Sequence, residues 1–316
     1  MSNIVKRGNV LQEINQILAN QGFETSNIYD RSCFDMVARK ELLLLILKVL
    51  INIDSINKIQ AEEIKTISHS FHGSPLIVGV KSKTEYLEED VVYERHGIPV
   101  IGMDTLKNIV IDNEYPEILA DRGGYYVKIN GDILQEARQD YQLSLKDLAD
   151  LAHVSRETIY KYEHGIVKAC PETAMLLEDV LNLKITLDIN LFDIPEADYS
   201  NPSFNKNTVD PKLSELGFGV ISTQKTPFDA LATQKATEDD TVITNMERNR
   251  NPRTLKKMAI TLNDLSLITG SNSVFILNND KIKESLDGIP VVKSWEMKEI
   301  ETPAEFMKII KERKQC

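Results

Sequence analysis

The chain has 316 residues, 42% of them hydrophobic, which is about two typical domain lengths in a composition ordinary for folded protein. It carries 37 Lys and Arg against 48 Asp and Glu, a formal charge of −11; this excludes indiscriminate coating of nucleic acid or anionic membrane, which is driven by excess cationic charge. Three scattered cysteines (Cys33, Cys170, Cys316) argue against a disulfide framework or zinc site and fit a reducing cytoplasm, and the longest apolar run, Leu42 to Leu47, is far below the roughly 20 residues of a membrane span.

The charge is uneven along the chain: −5 over residues 1–120, −7 over 121–210 and +1 over 211–316. In the first segment Ile4, Leu11, Ile14, Ile17 and Leu18 recur at helical spacing, with Gly22 as a stop. Residues 33–39 and 42–51 read as two strands about a Lys40-Glu41 turn, the second apolar on both faces as a central strand should be. A helix is expected from Asp54-Ser55 to Phe71, strands at 75–80 and 98–101, and a last helix over 105–111. Strands separated by helices imply an α/β layer with some parallel pairing.

Residues 121–194 form the second expected domain. It opens with Gly123-Gly124, a strand over 125–129 and an Asn130-Gly131 turn. Residues 195–211 have the composition of an exposed linker. Residues 212–316 repeat the plan of 1–120. Gly22-Phe23 matches Gly217-Phe218, Phe34-Asp35 matches Phe228-Asp229, and Gly97-Ile98-Pro99-Val100 recurs as Gly288-Ile289-Pro290-Val291. Order and spacing persist, which predicts a duplicated α/β domain.

Residues 132–183 carry the functional signal. Four short helices are expected, burying Ile133, Leu134 and Ala137, then Leu145, Leu148, Ala149 and Leu151, then Ile159 and Tyr162, then Ala174, Leu176, Leu177, Val180 and Leu181. Ser144 and Ser155 stand at N-cap positions, Gly165 at a C-terminal stop and Pro171 at a helix start. Small Ala149 lets the second and third helices (143–162) cross closely, and Val154 plugs the turn. The polar N-terminal face of helix 155–164 is then free for a major groove.

The segment resembles the helix-turn-helix of the Cro-like, XRE-type repressors, through Arg138, Leu143-Ser144, Leu148-Ala149, Val154-Ser155, Ile159 and Tyr162-Glu163-His164-Gly165. The resemblance implies an Arg138–Glu163 bridge. It also implies contacts to double-stranded DNA from Ser144, Lys146, Ser155, Arg156, Glu157, Thr158, Tyr160 and Lys161, with Arg156 on guanine and Lys146 and Lys161 on phosphate. Where that family often has glutamine at the second helix's start, this chain has Leu145, so the usual contact there passes to Lys146 and the third helix. Over residues 30–185 the chain is also similar to archaeal helix-turn-helix transcriptional regulators, through "FDMVARK", "DVVYERHGIPVI" and "RGGYYVKINGDILQEARQ".

The α/β segments have a second likeness, to restriction-endonuclease-like folds, which bind magnesium with an aspartate on one strand and Glu-x-Lys on the next. Asp35 and Lys48 are suitably spaced, but the middle carboxylate falls at Ile46. The second copy keeps Asp229 without a comparable lysine near Val242, so both sites read as degenerate and no catalytic residue, metal or cofactor is expected. A basic run, Arg248, Arg250, Arg253, Lys256 and Lys257, opens a predicted helix where it could meet phosphate or simply be solvated. The expected architecture is multidomain α/β plus all-α: a central four-to-five-helix repressor-like domain flanked by two degenerate endonuclease-like copies. The expected function is a cytoplasmic, homodimeric, sequence-specific DNA-binding regulator rather than an enzyme, with no effector assigned. The alternative is a nucleic-acid enzyme that the helix-turn-helix targets.

Overall fold

The computed structural model describes residues 6–196, 211–223, 225–234, 241–246, 251–278, 282 and 284–314; Ile4, Arg248, Arg250, Cys316 and most of the 195–211 linker lie outside the described residues. The chain forms two compact units, one of residues 1–49, 56–76 and 192–316, the other of 50–55 and 77–191. No helix among the described residues is long and apolar enough to cross a membrane.

The first segment runs α1 (Arg7–Asn20), β1 (Glu24–Thr25), β2 (Met36–Lys40), β3 (Leu43–Asn52), α2 (Lys58–Ser70), β4 (Ser74–Lys81), β5 (Val91–Arg95), β6 (Ile98–Ile101) and α3 (Met103–Lys107). Helix α1 buries Val10, Leu11, Ile14 and Leu18, and the chain leaves it through Gly22 at φ +81°. Strands β1, β2 and β3 pair antiparallel in that order, with Met36 opposite Leu47. Leu42, expected in a strand, is instead the 95% exposed tip of the hairpin, after Glu41 at φ 53°. Helix α2 starts later than Asp54-Ser55. Asn57 caps it by accepting the Gln60 N–H (2.9 Å), while Asp54 lies in a 3-10 turn and holds Arg95 (2.8 Å) and the Lys83 N–H. The helix expected over 105–111 is α3 followed by a π turn that ends at Asn113, φ 58°.

Strand β5 was hidden by the charged residues around it. It turns into antiparallel β6 through His96 and Gly97, both at positive φ, while β4 and β6 are parallel. Two further strands, β7 (Ile118–Asp121) and β8 (Gly124–Ile129), continue from β5 by parallel and then antiparallel pairing. Helices α4 (Gly131–Asp140), α5 (Leu145–Leu151), α6 (Arg156–Glu163) and α7 (Pro171–Leu181) follow, with β9 (Thr186–Leu187) on β8. The expected Asn130-Gly131 turn is the start of α4, with the Asn130 side chain accepting the Ile133 N–H at 3.2 Å. Val127 and Ile129 of β8 share one core with Leu134, Ala137, Leu148, Ala149, Ile159, Tyr162, Ala174 and Leu177. Leu151 and Leu176, expected inside, are 47% and 40% exposed, because each lies at the edge of its helix's apolar stripe.

The last segment runs α8 (Pro211–Glu215), β10 (Phe218–Ser222), β11 (Ala230–Gln234), β12 (Thr241–Met246), α9 (Pro252–Thr269), β13 (Asn272–Leu277), β14 (Ser285–Leu286), β15 (Ile289–Lys293), α10 (Glu296–Glu299) and α11 (Pro303–Lys314). Its sheet order is β10-β11-β12-β13-β15-β14. Antiparallel β10-β11-β12, parallel β13-β15 and antiparallel β14-β15 repeat the pairings of β1-β2-β3, β4-β6 and β5-β6. The turn before β15 again places two residues at positive φ, Asp287 and Gly288.

The likeness reaches single hydrogen bonds. Asp35 N–H donates to Leu47 O and Asp35 Oδ2 accepts Val49 N–H, both at 2.7 Å. Asp229 N–H donates to Thr244 O at 3.0 Å, and Asp229 Oδ2 accepts Met246 N–H at 2.9 Å. By this register Asn245, fully buried, stands where Lys48 does, so the comparable position is Asn245 rather than near Val242.

Candidate nucleic-acid interface and cationic cleft

In the helix-turn-helix, local signals and packing agree. Ser144 caps α5 and closes a capping box: its Oγ accepts Asp147 N–H (3.1 Å), and Asp147 Oδ2 accepts Ser144 N–H (2.9 Å). These bonds hold the Asp147 carboxyl below the usual range. His153 at φ 54° turns the chain, Val154 packs on the core, and Ser155 caps α6 by accepting Thr158 N–H at 3.0 Å. Gly165 leaves α6 at φ 63°.

The crossing of α4 over α6 is tighter than sequence reasoning anticipated. A Cβ on Gly131 would lie 2.1 Å from Glu163 O, so only glycine allows the contact. Beside it the expected Arg138–Glu163 bridge is bidentate, Nε to Oε1 at 2.6 Å and Nη2 to Oε2 at 3.1 Å, and Arg138 also donates to Leu143 O.

The expected DNA-contacting residues divide by what they already touch. The Ser144 and Ser155 hydroxyls are occupied as caps, and Thr158 Oγ1 is 2.8 Å from Ser155 Oγ. Glu157 pairs with Lys161 at 2.8 Å, and that lysine pulls the Glu157 carboxyl below its ordinary range. The exposed Tyr160 ring stacks on His164 with centroids 4.0 Å apart. Lys146 and Arg156 are exposed and have no ion pair or hydrogen bond from their side chains among the described residues. Leu145 is half-buried against the core and cannot replace a polar contact. Arg253, Lys256 and Lys257 are exposed on α9, whose N-cap is Asn251.

The other compact unit has a cleft of about 530 Å³ lined by Arg7, Asp30, Arg31, Ser32, Asp35, Lys48, Gln60 and Lys225. Asp35 and Lys48 do meet there: Lys48 Nζ donates to Asp35 Oδ1 (3.0 Å) and to Ser32 O (2.8 Å), with both residues buried. Arg7 pairs with the same Asp35 oxygen, and Val49 N–H takes the other. Ile46, at the place of the middle carboxylate, is fully buried. A divalent metal does not fit this set, because Asp35 is already paired with two cations and the position of its companion carboxylate is the apolar Ile46, which leaves only Asp30 unpaired by them on the lining. Sequence reasoning found Asp35 and Lys48 but missed Arg7, Asp30, Arg31, Ser32, Gln60 and Lys225. Ser32 and Lys225 meet across 193 residues, for which no local pattern exists.

Comparisons with known proteins match two parts of the chain. A PD-(D/E)XK superfamily domain matches residues 7–116, and a helix-turn-helix family model matches residues 134–187. A protein of Methanothermobacter thermautotrophicus named "putative HTH-type transcriptional regulatory protein" is 58% identical over 318 residues, covering 100% of both chains. Proteins of the same description from Methanobrevibacter smithii (55% identical, 98% of this chain and 99% of the relative) and Pyrococcus furiosus (33%, 95% and 96%) are also similar along nearly their whole length.

Proposed function

Because the chain belongs to the family of archaeal HTH-type transcriptional regulatory proteins, with a PD-(D/E)XK-like domain and a helix-turn-helix domain, we propose that it binds DNA in a sequence-specific manner and reads the major groove with α6. The observation that carries this reading is the state of α6. Its inner face is fully engaged, with Ile159 and Tyr162 in the core and Glu163 bonded to Arg138, while Arg156 is exposed in its first turn without an internal partner. A free guanidinium on the first turn of a recognition helix is suited to the paired acceptors of guanine. Lys146 serves a phosphate, and Lys161 does so on leaving Glu157. The acidic surround limits non-specific affinity, so binding rests on few cations and falls with salt. The protein acts as a homodimer on two-fold sites.

The domain plan is 1–120, 121–194, a linker over 195–211 and 212–316, and the shared strand pairings and Asp35/Asp229 bonding support reading the first and last as copies. The endonuclease-like segment does not cleave, a reading supported by Ile46 and by the ion pairs on Asp35.

Selection of bound sequences from a random DNA pool, followed by footprinting with magnesium present, tests the proposal. The expected result is a palindromic protected site on intact DNA. Arg156→Ala should weaken that site by about 1–3 kcal/mol and relax one base position. Unchanged binding by this variant refutes the assignment of α6. Magnesium-dependent nicking that is lost in Asp35→Ala makes the protein an enzyme instead.

A further inference from the structure

From the cleft around Asp35 we infer that the degenerate nuclease-like centre binds the phosphoryl group of a small phosphorylated molecule. The lining residues carry four cations, Arg7, Arg31, Lys48 and Lys225, against two carboxylates, Asp30 and Asp35. In a two-carboxylate nuclease centre a divalent ion supplies positive charge to the phosphate. Here Ile46 removes one carboxylate, and Arg7 and Lys48 both lie on the remaining one. Fixed side chains thus provide positive charge where a metal would have to be bound. Asp35 holds the two cations in place, and its own charge is matched by them.

Two cations remain over. Neither the exposed Arg31 guanidinium nor the exposed Lys225 ammonium has an ion-pair or hydrogen-bond partner among the described residues. The Lys225 backbone is nevertheless tied down, and Ser32, next to Arg31, accepts Lys48 Nζ through its carbonyl. Arg31 lies at φ 59°, and Lys225 O accepts from Cys33 N–H (2.6 Å) and Ser32 Oγ (3.3 Å) while Lys225 N–H donates to Glu63 (3.1 Å). Two unpaired cations, one on an anchored backbone, beside a buried lysine are an arrangement for an oxyanion with several acceptor oxygens. The cleft volume of about 530 Å³ lies within the ~300–1,000 Å³ of small-ligand sites, and this concavity favours a small molecule over the convex backbone of a duplex.

Calorimetric titration of the full chain at constant ionic strength tests this, with inorganic pyrophosphate and AMP as probes. The double substitution Arg31→Ala/Lys225→Ala removes only exposed side chains and should leave folding intact. Saturable binding of either probe, weakened at least tenfold in that variant and unchanged in Lys311→Ala, supports the inference. If neither probe binds but the double variant loses affinity and salt slope toward a duplex of scrambled sequence, the phosphoryl group recognised is that of the DNA backbone, and the small-molecule source is wrong. No effect on probes or duplex overturns the inference. So does titration of Mg²⁺ alone showing a site that Asp35→Asn abolishes.

Discussion

Replacing Glu163 by Gln should be among the most damaging single changes in the helix-turn-helix. The Glu163 side chain is 2% exposed and the Arg138 side chain 12%, and two hydrogen bonds of 2.6 and 3.1 Å join them across the α4–α6 crossing. The substitution keeps the shape and removes the negative charge, leaving the guanidinium desolvated without its counterion. Breaking a buried pair from one side costs about 3–5 kcal/mol, whereas replacing both partners by apolar residues of similar volume is near neutral. Arg138→Met alone should cost a similar amount, and Arg138→Met with Glu163→Leu far less than the two singles together. The coupling should therefore be about 2 kcal/mol or more. Hydrogen exchange of the α4–α7 amides in the full chain measures this opening energy directly. Single costs below about 1 kcal/mol, or strictly additive ones, would refute the reading of Arg138 and Glu163 as a buried, mutually dependent pair.

Gly131→Ala should lower the same opening energy by at least about 1–3 kcal/mol, since its Cβ would have to retreat from 2.1 Å to ordinary contact with Glu163 O; wild-type protection from exchange would refute the crowding. Glu157→Gln should free Lys161 and remove a negative charge beside DNA, raising affinity for scrambled duplex and steepening its salt slope; an unchanged slope would remove Lys161 from the phosphate contacts. In the last segment Arg313 hydrogen bonds hold the Glu296 carboxyl below its ordinary 4.5. A depressed carboxylate stabilises the fold fully above the unfolded pKa and loses that contribution as pH falls through the folded one. Acid unfolding should therefore steepen below about pH 4.5, and Glu296→Gln should flatten that limb; an identical acid limb would refute it.

How much the sequence revealed depended on how local each signal was. Ser144, Ser155, Gly165 and the stripe of Leu148, Ala149 and Ile159 declare caps, stops and faces within a few residues, and the structure places them as their chemistry requires. Leu151 and Leu176 misled because helical periodicity cannot tell the centre of an apolar stripe from its edge. Strand β5 was lost among charges: its strand-forming core is only Val91-Val92-Tyr93, and pairing on both sides, with β6 and β7, completes it. Asp35 and Lys48 were found because a known spacing connects them. Arg7 and Lys225, on the same cleft, are 218 residues apart and had no spacing to betray them.

The compact unit that holds the cationic cleft is built from both ends of the chain, with residues 77–191 lying between its pieces. Tyr29 donates to Asp264 across 235 residues, and Arg39 to Ile268 O across 229. A ribosome releases the helix-turn-helix whole long before it releases Asp264. The helix-turn-helix can thus close on itself early in synthesis, while Tyr29 and Arg39 wait for hydrogen-bond partners not yet made. The cleft too is completed later in order of synthesis than the helix-turn-helix, once Lys225 is available to join Arg7, Asp35 and Lys48.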